Sequence, residues 1–260
     1  MHPTFGSAVE GITLSAYFGN RVVQSTTSGG HLVAVKVKPR TFARSEAKMM
    51  GYASQQAGLK APRVLGCYDV EGGVTTMVSD LVPGVSLDQV WHKMNAQQQE
   101  SIKTQLKEQI RIFRTCTKPY IGRIDHELTR NFYDRLGISY MGPFDSEVEF
   151  DEWCLARLKT PISRMKWKYL VPYMRGSDSK RFVLTHGDLA AHNIMVNDGI
   201  ITGIVDWEHS GFFPEYVEYA AATVICDFHE EWWKPVLKEI LEPCGSQRLK
   251  FQGLVKDRGW

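Results

Sequence analysis

The chain has 260 residues, 43% hydrophobic, 11% aromatic and 23% charged, which excludes the disordered and fibrous classes and allows one large domain or two small lobes. Thirty-one Lys and Arg stand against 29 Asp and Glu, a formal net charge of +2, too small to imply nucleic acid or an anionic membrane as partner. The five cysteines, Cys67, Cys116, Cys154, Cys226 and Cys244, form no C-x-x-C pair and predict reduced, mostly packed thiols rather than zinc ligands or a disulfide framework. There is neither a secretory leader pattern nor an apolar run of membrane-span length, so a cytoplasmic location is expected.

From the N-terminus, short β-type runs come first: Gly11 to Phe18, Arg21 to Gln24, Leu32 to Val37, Val64 to Asp69 and Val74 to Leu81. Turn-rich pieces such as Thr26 to Gly30 and Glu71 to Gly73 separate them. One segment, Phe42 to Gln56, is rich in Ala, Glu, Lys and Met and predicts a helix. After Pro83-Gly84 the period turns helical. Ser86 with Gln89 has a capping-box spacing and predicts a short helix through Trp91. Between Ala96 and Cys116, Ile102, Leu106, Ile110 and Phe113 share one helical face. Ser146 with Glu149 repeats the capping spacing ahead of Phe150, Trp153, Cys154 and Leu158. β character returns at Phe182 to Leu184, then in Ile194 to Val196 and Ile200 to Val205, joined through the hairpin turn Asn197-Asp198-Gly199. Helices from about Glu215 to Leu241 close the pattern. The predicted fold is α+β and bilobal: residues 1–84 form a small β-rich lobe with one helix and end in a linker, and residues 85–260 form a larger, mainly helical lobe with an inserted hairpin.

The sharpest local sequence is His186-Gly187-Asp188-Leu189-Ala190-Ala191-His192-Asn193, followed 13 positions after the Asn by Asp206 at the end of an apolar strand. Its form, H-x-D-L-x-x-x-N then D, is the catalytic-loop and metal-binding pattern of kinase-fold enzymes. Phosphoryl transfer needs a carboxylate beside the attacking hydroxyl and oxygen ligands that hold Mg²⁺ against the nucleotide phosphates. The hairpin brings Asp206 back towards Asp188 and Asn193. Such residues also occur simply as turn formers, but the combination with a hairpin of this length favours chemistry. His186 is expected to organise backbone rather than exchange protons. Leu32-Val33-Ala34-Val35-Lys36 has the form of the V-A-I-K strand, and Glu46 lies ten residues on in the predicted helix. Lys36 would contact the phosphates and Glu46 would pair with it. Lys38, on the same strand face, competes for that place, and the apolar run immediately before Lys36 favours Lys36.

With these motifs the sequence resembles the aminoglycoside phosphotransferase and choline kinase group of small-molecule kinases, particularly its fungal-type branch. The resemblance covers most of the chain and includes Ala61 to Leu65, Val82 to Leu87, Lys118 to Gly122, Leu184 to Leu189, Asn193 to Val196, Ile204 to Glu208 and Phe212 to Tyr216. It implies a protein-kinase-like fold with ATP in the cleft and the adenine against the backbone around Ser79, Asp80, Leu81 and Val82. Two positions depart from the family pattern. Ala191 replaces a common proline, and Phe18-Gly19-Asn20-Arg21-Val22-Val23 supplies a phosphate loop with a single glycine. Trp207-Glu208 stands where a protein kinase has Phe-Gly, and Pro214-Glu215 follows too soon for a phosphorylatable activation segment.

The expectation is therefore an ATP- and Mg²⁺-dependent phosphotransferase acting on a hydroxyl, less readily an amine, of a small molecule. Asp188 would be catalytic, Asn193 and Asp206 would hold Mg²⁺, and no nucleic acid, membrane or protein partner is implied. The alternatives are a non-catalytic kinase-fold protein, or ATP-dependent activation of a small molecule for ligation or elimination. The acidic stretch Asp145, Glu147, Glu149, Asp151 and Glu152 reads as a helix N-terminus complementing the helix dipole, in preference to a cationic-acceptor surface. Trp232-Trp233 and Phe212-Phe213 read as core.

Overall fold

Strand alternation in the first eighty residues produces a five-stranded antiparallel sheet in the computed structural model, which describes residues 9–17, 20–70, 74–134, 139–176, 181–225 and 231–258. Its strands are β1 (Ile12–Tyr17), β2 (Asn20–Thr26), β3 (Leu32–Pro39), β4 (Val64–Val70) and β5 (Val74–Asp80), in the order β1-β2-β3-β5-β4. Helix α1 (Arg40–Ser54) follows β3 directly and packs on β3, β4 and β5. Along β3 the pleat buries Val33, Val35 and Val37 on one face and sends Lys36 and Lys38 to the other, the face that α1 covers with Glu46. On α1, Ala43, Ala47 and Met50 recur at helical spacing and are buried, and Glu46 is buried among them.

The chain leaves this sheet through Gly84, whose φ of 101° lies in glycine's range. A Cβ there would meet the Val196 carbonyl oxygen at 2.1 Å. That close approach lets β6 (Val85–Ser86) pair with the later hairpin. The capping-box spacing of Ser86 and Gln89 does not start an α-helix. Gln89 donates to Ser86 Oγ at 2.8 Å side chain to side chain, and the segment makes two single 3₁₀ turns, Leu87–Gln89 and Trp91–Lys93. The long helix α2 (Ala96–Thr115) carries the true capping box, Asn95 with Gln98, and buries the predicted stripe Ile102, Leu106, Ile110 and Phe113.

Short strands β7 (Thr117–Lys118), β8 (Thr129–Arg130) and β9 (Tyr140–Met141) precede α3 (Glu147–Arg157), which Ser146 caps by accepting the Glu149 N–H. The acidic start of α3 is a helix N-terminus as expected, with Glu147 and Glu149 in the first turn, and it also builds a buried ion cluster. Glu147 and Asp151 are buried and both bind Arg248, at 2.8 and 2.6 Å, while Arg175 also binds Asp151 at 2.7 Å. Helix α4 (Pro161–Leu170) was not predicted. Then come β10 (Phe182–Thr185), the hairpin β11 (Ile194–Asn197) and β12 (Ile200–Ile204), and β13 (Gly211–Phe213). Asp198 and Gly199 turn the hairpin with φ of 49° and 76°, the two positive φ values a type I′ turn requires. Helices α5 (Tyr216–Ala220), α6 (Trp233–Ile240) and α7 (Ser246–Lys256) finish the fold, with one π turn at Ala221–Ile225. The predicted closing helices thus extend past Leu241 to α7. One contiguous core joins α1, α2, the hairpin and the last helices. Phe212, Phe213 and Trp233 belong to it fully. No described helix is long and apolar enough to cross a membrane.

Candidate active site

The cleft between the sheet and the helical part is built from β3, α1, the turn after β10 and the end of β12. Lys36 projects into it from β3. Its Nζ lies 2.7 Å from Glu46 Oε1 and 2.8 Å from Asp206 Oδ1, and its side chain is 12% exposed. Burial acts against the charge of Lys36, but Asp206 foremost, then Glu46 and Glu208, outweigh it and hold its pKa above the ordinary lysine value. Asp206 is lowered in turn, because Lys36 overcomes the effect of burial. Lys38 sits two residues along, with its side chain only 2% exposed. Its Nζ lies 2.7 Å from Glu46 Oε2 and also binds Glu208. The two lysines therefore do not compete for one role: each takes one oxygen of Glu46.

Asp206 stands at the end of β12 with φ 65° and ψ 66°, a left-handed conformation, and the backbone beside it is fixed from both sides. Val205 N–H donates to the Asn193 carbonyl at 2.9 Å, and the Trp207 indole donates to the Ile204 carbonyl at 2.9 Å. Trp207 is fully buried, against the rings of Phe113 and His186. Glu208 receives Arg130 at 2.6 Å and His209 at 3.3 Å in addition to Lys38. Its carbonyl accepts from Arg123, which also donates to Ser45 Oγ at 2.7 Å and to the Ser210 carbonyl at 3.1 Å. Burial would raise the Glu208 carboxyl, but the His209 hydrogen bond and the charges of Lys38 and Lys36 reverse that and hold it far below the usual carboxylate range.

The loop after β10 carries Asp188, which is half-buried. Gly187 before it has φ 76°, and a Cβ there would meet the His209 carbonyl at 2.9 Å. His186 is buried, its Nε2 lies 3.1 Å from the Val205 carbonyl, and it joins the loop to the Asp206 strand as expected of a structural histidine. The backbone N–H groups of His186 and Gly187 donate to Glu218 at 2.6 and 3.0 Å. On the other side of Asp188, the Trp233 indole donates to the Leu189 carbonyl at 2.8 Å. Asn193 is buried and donates Nδ2 to the Asp188 carbonyl at 3.0 Å, which leaves its amide oxygen as an electron-pair donor. The Val205 N–H bond to the Asn193 carbonyl ties Asn193 to the residue just before Asp206. Asn193 and Asp206 both offer hard oxygen atoms, a donor set suited to Mg²⁺.

A cavity of about 400 Å³ at the linker is lined by Leu32, Ala61, Asp80, Leu81, Val82 and Thr202, among others. Ser79 lies one residue further in, its backbone held in the sheet opposite Ala34 and Val64. Arg63 pairs with Asp80 at 2.9 Å, and Thr202 donates to the Pro83 carbonyl at 2.6 Å, tying the linker to the hairpin. Residues 18–19 of the single-glycine loop lie outside the described residues. The sequence reading missed Glu218, Arg123 and Arg130, and it placed Trp233 in the core without its hydrogen bond to the loop. Glu218 carried a signal, as the only charge in the otherwise apolar run Val217 to Ile225.

A β-rich lobe and a helical lobe, with a paired lysine and glutamate above an Asp/Asn loop and a second aspartate, define a kinase-like phosphotransferase fold. A family model described as the phosphotransferase enzyme family matches residues 11–242, and the chain belongs to that family. No curated protein matches it significantly. Among solved structures it is similar to aminoglycoside phosphotransferase APH(4)-Ia, with a TM-score of 0.65 and 15% identity over 98% of this chain and 86% of that one. A thermostable mutant of that protein in ternary complex with ADP and hygromycin B gives 0.61 and 15% over 98% and 86%. A protein from Haemophilus somnus 129PT, provisionally assigned as a fructosamine-3-kinase, gives 0.62 and 16% over 95% and 81%.

Proposed function

We propose that this chain is a small-molecule kinase that transfers the γ-phosphoryl group of ATP, with Mg²⁺, to a hydroxyl, or less readily an amine, of its acceptor. The observation that carries the reading is Lys36 held at once by Glu46 at 2.7 Å and Asp206 at 2.8 Å, beside a loop that presents Asp188 and Asn193. The solved relative with ADP and hygromycin B in one complex supports a nucleotide and a small-molecule acceptor for this chain as well. A peptide acceptor fits poorly, because β13 begins five residues after Asp206 and α5 follows at Tyr216.

In this reading residues 1–84 and 85–260 are the two lobes, and the apolar walls of the cavity, Leu32, Ala61, Leu81 and Val82, take the adenine. The backbone from Ser79 through Asp80 to Val82 borders the base. Lys36 leaves Asp206 for the α- and β-phosphates while Glu46 steadies it. Asn193 and Asp206 would hold Mg²⁺, which when bound neutralises charge on the phosphates. Asp188 orients the acceptor hydroxyl and takes its proton late in a loose transition state. The protein works in the cytoplasm, where ATP and Mg²⁺ are supplied.

Thermal stabilisation by ATP with and without Mg²⁺, in the parent and in Asp206→Ala, tests the reading without knowledge of the acceptor. A ligand at a hundred times its Kd stabilises the native state by about 2.7 kcal/mol. Metal-dependent stabilisation that disappears in Asp206→Ala is expected. No stabilisation by any nucleotide at saturation would overturn the kinase reading in favour of a non-catalytic kinase fold.

A further inference from the structure

Lys38 is among the most deeply buried groups of the cleft, 1% exposed, and its two carboxylate partners are Glu46 and Glu208. A buried ammonium is costly unless paired, and an apolar side chain of the same length would fill this space with less penalty. Its charge therefore needs an account beyond packing. We propose that Lys38 is a positioning residue: through Glu46 it sets how tightly Lys36 is held, and through Glu208 it sets where Asp206 stands. The inference rests on the reading of the cleft as a nucleotide site.

Two observations carry it. The first concerns Glu46, whose Oε1 binds Lys36 and whose Oε2 binds Lys38, each at 2.7 Å. With Lys38 present, the carboxylate divides its charge between two ammonium groups, and Lys36 can turn from Asp206 towards a phosphate. Without it, the whole charge of Glu46 acts on Lys36, which Asp206 also holds at 2.8 Å, and release towards a ligand becomes harder.

The second concerns backbone. Asp206 is a non-glycine residue in the left-handed region, a state that persists only where the surroundings over-determine it. Two residues on, Glu208 is fixed by Lys38, Arg130 and His209, and its carbonyl by Arg123. Of these four partners, Lys38 alone comes from the five-stranded sheet. It thus ties the Asp206 turn to the strand that carries Lys36 and keeps the two ends of the Lys36–Asp206 pair in reach of one ligand.

The test is calorimetric titration of Mg-ADP into the parent, Lys38→Met, Lys38→Arg, Glu208→Gln and the double variant Lys38→Met/Glu208→Gln, with circular dichroism to establish folding. Steady-state kinetics follow once an acceptor is in hand. Lys38→Met is expected to weaken Mg-ADP binding by about tenfold or more, a difference of about 1.4 kcal/mol, and to lower kcat further than it raises KM. Lys38→Arg should recover part of the affinity. In the double variant the second substitution should cost much less than it does in the parent, because both remove the same link.

Parent affinity in a folded Lys38→Met protein would overturn the inference, even with a lower Tm, since that pattern is packing alone. Strictly additive effects of Lys38→Met and Glu208→Gln would overturn it too. Should Lys38→Met fail to fold, parent affinity in both Lys38→Arg and Glu208→Gln would do the same. A parent that binds no nucleotide would bring down the nucleotide reading itself, an outcome distinct from a parent that binds and variants that match it.

Discussion

Glu218 holds His186 by its backbone: the carboxylate accepts the His186 N–H at 2.6 Å across 32 residues of sequence, and the Gly187 N–H at 3.0 Å. The loop that carries Asp188 is therefore held from α5, behind it. Burial, opposed by His186, raises the Glu218 carboxyl above its ordinary value. Glu218→Ala leaves two buried N–H groups unpaired, at about 1–3 kcal/mol each. The expected result is a clear loss in urea-monitored stability and a fall in kcat larger than any rise in the KM for nucleotide. Unchanged kcat in the folded variant would show that the loop keeps its shape without this contact.

Asp188→Asn separates binding from chemistry. The backbone carbonyl of Asp188 receives Asn193 Nδ2 at 3.0 Å, and this contact survives the substitution, so Asn193 keeps its place. Nucleotide affinity should stay within about threefold of the parent, or about 0.7 kcal/mol. Turnover should fall by about 10²–10⁴, the range for removal of a positioned acid-base group. Titration calorimetry beside a coupled assay on the true acceptor reads both, and equal turnover would remove Asp188 from its proposed role.

Gly84→Ala tests the connection between the lobes. The position combines φ 101° with a Cβ that would stand 2.1 Å from the Val196 carbonyl, a backbone atom of β11. Alanine there meets both conformational strain and a clash that no side-chain rotation relieves. The expected loss is on the order of 2 kcal/mol or more, seen as a lower Tm. Because Val85 pairs with Val196 just beyond, nucleotide binding should weaken in parallel.

How much of this was legible in the sequence follows from where the information lies. The five strands of the sheet and α1 were readable because alternation and a solvated helix face leave a local period. Asp188, Asn193 and Asp206 stood out because a loop and a hairpin fix their spacing, and Lys36 with Glu46 because an apolar strand ending in lysine runs into a helix; of these the structure brings Lys36, Glu46 and Asp206 into direct contact. Helix α4 was passed over although Ile162, Met165 and Tyr169 recur at i, i+3 and i+7: that apolar stripe is exposed, and the helix buries Trp167 instead, so the periodic face is not the one that packs. The capping spacing at Ser86 misled because Ser86 is engaged in β6 and the chain turns again at Val90. Glu208, Arg130, Arg123 and Trp233 act through partners far away in sequence, and no local pattern announces a pairing across the fold.

The buried cluster at the start of α3 gives a pH-dependent prediction. Burial raises the Glu147 carboxyl to about 7, with Arg248 opposing and Asp151 adding to the rise. A carboxyl whose pKa is higher in the folded state than in the unfolded chain binds its proton more tightly when folded. Its contribution is therefore complete below the unfolded value of about 4.5 and is lost as pH rises through about 7. The loss over that window is on the order of 3 kcal/mol. Glu147→Gln removes this proton-linked step while Asp151 still holds Arg248 at 2.6 Å. Thermal unfolding measured from pH 4.5 to 8 should show the parent falling relative to the variant as pH rises, with the difference levelling off above about 7. Parallel curves for the two proteins would mean that Glu147 binds its proton equally in the folded and unfolded chains, and that the anchoring of α7 to α3 is insensitive to pH.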